Sequence, residues 1–155
     1  MVYFALIFYI LSLVKLAILP ITINMTNKPI APTINEAPYL YLQYVPFKTV
    51  ADTIGSNTFF IQIIGNIFLL MPVPIFIQLI SERELTLKKT IKVVFLISLS
   101  IETIQFIINI LTRYPNKVTD IDDLIFNTLG GFLGYYPYKK FKETKLYNQL
   151  YMKEE

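Results

Sequence analysis

Acids and amides recur at helical spacing late in this chain, inside segments that are otherwise strongly apolar. In IETIQFIINILTR (residues 101–113), Glu102, Gln105, Asn109 and Arg113 are separated by three, four and four residues, which places them on one helical face. In DIDDLIFNTLGGFLG (120–134), Asp120, Asp123, Asn127, Gly130 and Gly134 repeat every three or four residues in the same way. An ionised carboxylate deep in a bilayer costs at least about 2.5 kcal/mol, so such a group must be neutral, paired or beside water. Two carboxylates in different surroundings can hold different protonation states, which makes Glu102 and Asp123 the candidate general acid and base. The plainer reading is also open: a protonated Glu102 bonding Gln105, Asn66 or Asn127 would simply lock helices together.

Around these two residues the sequence assembles a pocket of Asn66, Glu102, Gln105, Arg113, Asp120, Asp123 and Asn127. Asp120, Asp122 and Asp123 open a helix, where acids offset the dipole and cap free N–H groups. Asp122 points about 100° from Asp123 on an ideal helix and so falls off the inward stripe. Arg113, just before the turn, is expected to reach back and pair with Asp120 or Asp123. Clustered oxygen ligands suit Mg²⁺ or Ca²⁺, but the spacing matches no dedicated metal loop, so neither a metal nor a cofactor is expected.

Composition narrows the setting. The 155 residues are 54% hydrophobic and 16% charged, with mean hydropathy +0.52. Soluble domains carry about 25% charged residues, so the chain reads as one membrane domain, 1–155. Cysteine, histidine and tryptophan are absent, which removes disulfides, thiolate and imidazole chemistry and the usual zinc ligands. No basic stretch alternates with aromatics in a hydrophilic setting, so nucleic acid is not an expected partner; membrane lipids are.

Four elements must position the stripes: an all-α, polytopic four-transmembrane-helix bundle with spans at about 2–19, 59–80, 91–111 and 120–138. The first has no basic cluster ahead of it and no small-residue cleavage site behind, which predicts an uncleaved anchor. Its Lys15 either snorkels to the interface or offsets Glu102 or the aspartates. Pro20, Pro29, Pro32, Pro38 and Pro46 forbid a long helix between the first two spans. Within that loop, the tyrosine-rich APYLYLQYVPF (37–47) is expected along the membrane surface. Asn24-Met25-Thr26 fits a glycosylation sequon, a triplet that arises often by chance. The second span holds Gln62, Gly65 and Asn66 early, with both amides expected to face inward, and a kink from Pro72 and Pro74. SERELTLKKTIK (81–92) is a hydrophilic turn, and the charged tail after the fourth span is partly helical. Gly130 and Gly134 form a GxxxG pattern for close helix packing. Nine Lys and Arg lie in the 81–92 turn and the tail, against four (Lys28, Lys48, Arg113, Lys117) on the other side. The imbalance predicts both termini inside, N-in/C-in, with the proline-rich loop outside.

Several of these segments are similar to the VanZ-like family, small membrane proteins named after an accessory determinant of teicoplanin (glycopeptide) resistance in Gram-positive bacteria. YVPF (44–47) looks like its loop motif, NIFLLMPVP (66–74) its asparagine-to-proline run, and SIETIQF (100–106) its Glu-x-x-Gln. TDIDDLIFNTLGGFLG (119–134) matches its Asp-x-x-Asp-x-x-x-Asn-x-x-Gly-Gly ending. The resemblance covers about residues 44–136 and carries over Asn66, Pro72, Glu102, Gln105, Asp120, Asp123, Asn127, Gly130 and Gly134. Pro74 stands where the family commonly has Gly, and Asp122 lies outside the pattern. The resemblance implies a four-helix protein of the cell envelope. Three readings follow: a protein binding a lipoglycopeptide or a lipid-linked wall precursor and altering glycopeptide resistance; an intramembrane enzyme acting on a lipid headgroup; or a structural or partner-binding membrane protein.

Overall fold

The computed structural model describes residues 2–25, 31–81 and 85–144, and it is 70% helical. Helix α1 is Val2–Ala17 and α2 is Lys48–Thr53; α3, Thr58–Leu70, is followed closely by α4, Val73–Ile80. Helices α5 and α6 are Leu87–Thr112 and Ile121–Lys142. A 3₁₀ turn at Pro38–Leu40 precedes β1, Leu42–Gln43, which pairs in parallel with β2, Thr119–Asp120. Thr26 of the sequon, Lys28, Arg83 and the tail beyond Thr144 lie outside the described residues.

Prolines decide where α3 ends. Pro72 and Pro74 have no N–H to offer the preceding turn, and the helix stops at Leu70 and restarts at Val73. Beside this break, the Tyr9 hydroxyl of α1 donates to the Leu69 carbonyl at 2.7 Å, while the Tyr9 ring stacks on Phe76. A neighbouring helix thus serves backbone that a proline-broken helix leaves short of donors. Helix α5 begins earlier than the sequence suggests. Thr86 caps it by accepting from the Lys89 N–H at 3.5 Å, so the hydrophilic turn is shorter than 81–92.

Helix α6 is the centre of the bundle and packs on α3, α4 and α5. Glycines allow the approach: a Cβ on Gly130 would strike the Ile67 carbonyl, and one on Gly134 the Met71 carbonyl. Gly131 faces Val94 of α5. Ala17, Leu70, Val73, Val94 and Ile101 form the apolar core.

Burial is inverted relative to a water-soluble protein. Gln78, Thr90, Ser98, Glu102, Gln105, Asn109, Thr112 and Asn127 are buried, while Phe4, Phe8, Leu11, Phe60, Ile61, Phe68 and Leu111 are exposed. Hydrocarbon outside and hydrogen-bonding groups inside is what an acyl-chain solvent selects. Two helical stretches, Thr58–Ile80 and Leu87–Thr112, are long and apolar enough to cross a bilayer. Helix α1 has 16 residues and so spans about 24 Å, shorter than the span expected over 2–19.

Candidate functional site

The polar stripe of α5 faces inward. Ser98, Glu102, Gln105, Asn109 and Thr112 are all buried on it. Glu102 accepts the backbone N–H of Asp120 at 2.9 Å, which holds β2 against α5. Asn109 accepts from the N–H groups of Asn116 (2.9 Å) and Lys117 (3.3 Å), and its amide donates to the Lys117 carbonyl. It therefore shapes the turn between α5 and α6. Asn127 of α6 donates to the Ser98 hydroxyl at 3.1 Å, closing the two helices on each other.

Three aspartates at the start of α6 divide the remaining work. Asp120 is the N-cap and accepts the Asp122 N–H at 2.8 Å; its other oxygen accepts the Thr49 hydroxyl. Asp122 accepts the N–H of Phe47 and, at 3.3 Å, that of Val50. Phe47 needs that anchor, since it adopts left-handed φ of 62° ahead of α2. Asp120 and Asp122 together pin Phe47 and the start of α2 onto α6. Asp123 is bonded by the Asn66 amide of α3.

Above these contacts opens a groove of about 760 Å³. Asn66, Gln105, Asp120 and Asp123 line it, joined by Thr49, Asn116, Lys117 and the Lys48–Asp52 pair of α2. Four of the seven pocket residues expected from the sequence therefore meet there. Glu102 does not border the groove; it lies behind Asp120, whose backbone it holds, and this removes it from direct contact with an occupant. Asn127 is buried deeper, between α5 and α6. Arg113 is the clear correction. Helix α5 ends at Thr112, and Arg113 turns left-handed at φ 52°, which carries it off the stripe and into exposure. Among the described residues the one ion pair is Lys48–Asp52, so Arg113 pairs with neither aspartate and exposed Lys15 offsets no acid. Gln62 is exposed at the groove's rim rather than directed into the bundle, because it sits where α3 emerges beside the opening. Among the described residues no group of three or more acids is placed to hold a metal ion.

Asp122 lies off the groove-lining stripe, as its helical position predicts, but it is not left to solvent. The residue is 2% exposed because the outer loop, not another span, covers its side of α6. Nothing local marks Thr49 as a groove residue, and Lys117 is marked in the sequence only by its charge. Ser98 and Thr112 could have been found by continuing the α5 stripe four residues before Glu102 and three after Asn109. The tyrosine-rich stretch is partly interior: Tyr41 is buried and donates to the Pro32 carbonyl at 2.9 Å, whereas Tyr39 and Tyr44 are exposed. Burial, and secondarily nearby Glu36, push the Tyr41 phenol above its usual range, so it remains a donor.

Buried polar stripes, an apolar exterior and a polar groove at one end define a helical membrane protein. The family model described as VanZ/LLP1 matches residues 6–142, and the chain belongs to that family. The match reaches further than the 44–136 resemblance and includes most of α1. No curated protein and no solved structure matches the chain.

Proposed function

We propose that this protein is a single four-span membrane domain of the cell envelope whose groove binds the polar head of an amphiphile at the outer leaflet. Helices α1 and α6 complete the two longer spans. Helix α6 is less apolar than the two longer spans, and Leu129, Leu133 and Tyr136 are its exposed large hydrophobic residues. The excess of Lys and Arg on the α4–α5 turn and the tail supports cytoplasmic termini and an outward groove. The observation carrying the binding role is the groove itself, with Asn66, Gln105, Asp120 and Asp123 converging under a pinned loop at the end of an apolar bundle. A lipid-linked wall precursor or a lipoglycopeptide has the required shape, a polar head on an alkyl anchor. Family membership supports a role in teicoplanin-type glycopeptide resistance.

Susceptibility of a Gram-positive host tests this. Expression should raise resistance to teicoplanin more than to vancomycin, which lacks the acyl tail. Asp123→Ala should abolish the gain at unchanged membrane levels. Equal protection by parent and variant would contradict the groove's role.

Asp123 also keeps an enzymatic reading open, since a half-buried carboxylate lining a groove is placed to act as acid or base on a headgroup. In that case purified protein turns over lipid and Asp123→Asn loses the turnover. Binding without product rejects it.

A further inference from the structure

We infer that the crevice between α1 and α4 holds an acyl chain of an anionic phospholipid, whose head meets the basic turn ahead of α5. The site is separate from the outer groove and takes from the functional proposal only the arrangement of the helices across a bilayer.

Helix α1 is fastened to its neighbours at two places. The Tyr9 ring stacks on Phe76 and its hydroxyl donates to the Leu69 carbonyl at 2.7 Å. At the end of the helix, Gln105 and Lys117 donate to the carbonyls of Ala17 and Leu16. Between α1, α4 and α5 lies a space of about 540 Å³, walled by Leu6, Ile10 and Leu13, by Phe76 and Ile77, and by Ile97. Tyr9 also lines it, with its hydroxyl already engaged. Such a wall suits an occupant that needs no hydrogen bonds. Size argues against a second copy of the chain. A helix about 10 Å across fills about 420 Å³ per turn, so the crevice would take little more than one turn. An acyl chain is thin and apolar, and the bilayer supplies it.

Charge at one end of the crevice selects the lipid. Ser81 and Leu85 border the space where α4 gives way to α5. Gln78 holds Leu85 there, accepting its N–H at 3.1 Å and donating to its carbonyl at 2.8 Å. Lys88 and Lys89 follow within four residues, hence within about 14 Å of Leu85 even on an extended chain. Both are exposed, as is Lys92 one turn further on. Among the described residues, none of these lysines pairs with a carboxylate. Over 81–92, Arg83, Lys88, Lys89 and Lys92 stand against Glu82 and Glu84, which leaves the turn at +2. An apolar slot that runs to a basic turn matches an apolar tail on an anionic head. A zwitterionic lipid would fill the slot as well but gain less from the turn.

The test uses purified full-length protein in detergent and a phosphatidylglycerol that carries a diazirine midway along one acyl chain. After irradiation, peptide mass spectrometry should find the label on residues 6–13 and on α4, and not on the exposed α3 positions Phe60, Ile64 and Phe68. Unlabelled phosphatidylglycerol should displace it roughly tenfold better than phosphatidylcholine with the same tails, the scale of one or two lysines beside an anionic surface. Lys88→Gln combined with Lys89→Gln should bring the two competitors level. Ile10→Trp, at an exposed position on the crevice wall, should fill the space and remove the label from α4. Label spread over α3 as heavily as over α1 would overturn the inference, and so would equal displacement of the wild-type label by both lipids. A dimer that excludes the label would overturn it in favour of a second copy. None of these outcomes touches the outer groove, and loss of the resistance phenotype would leave the crevice result standing. The wild-type labelling and competition decide the matter even if a variant does not fold.

Discussion

Glu102 is the residue whose role changes most between sequence and structure. Its carboxylate serves as an acceptor for the Asp120 N–H, an amide at the buried junction of β2 and α6. Glu102→Ala strands that N–H and should cost about 1–3 kcal/mol, whereas Glu102→Gln keeps a carbonyl acceptor and most of the stability. Thermal unfolding in detergent measures both; equal losses would mean that the charge matters and the acceptor does not. The stripe carrying Glu102 was legible because helical period is a local property. Asp122 was not legible, since the N–H groups it accepts lie 75 and 72 residues away, at Phe47 and Val50. Arg113 misled for a third reason: spacing predicts a face only while the helix continues, and this one ends a residue earlier.

At the level of elements, α6 can occupy the centre only because three of its residues lack side chains. Gly134→Val places atoms where the Met71 carbonyl sits, and the junction between α3 and α4 must move away. The variant should be destabilised by several kcal/mol, on the scale of severe overpacking, and should lose its monodisperse chromatographic peak. Gly65 is a control on the adjoining helix. Nothing lies within 4 Å of a Cβ there, so Gly65→Ala should leave the thermal midpoint unchanged or raise it by an amount worth about 0.5–1 kcal/mol. Close packing at Gly130 and Gly134, and a break near Pro72, follow from residue type and could be read directly. The two-residue pairing of β1 with β2 could not, because it joins segments far apart in sequence through four residues of no marked β-propensity pattern.

For the whole molecule, the governing fact is that polar side chains turn inward and apolar ones outward. The proposed orientation rests on the charge imbalance and is testable on a chain that has no cysteine. Tyr44→Cys, on the outer loop, should react with a membrane-impermeant maleimide in intact cells, and Lys89→Cys, in the first turn of α5, only after lysis. Both reacting from the same side would contradict the proposed topology. Composition and hydropathy were enough to read a helical membrane protein, yet α6, less apolar than the two longer spans, shows where hydropathy stops. The inward meeting of α5 and α6 underlies every functional statement made for the groove. Its most direct test is paired cysteines: Ser98→Cys with Asn127→Cys against Ile104→Cys with Leu129→Cys, both exposed positions on the same helices. Mild oxidation in membranes, followed by mass spectrometry of linked peptides, should join 98 to 127 and leave 104 and 129 unlinked; the reverse pattern would mean that the polar faces look outward and that no shared groove exists.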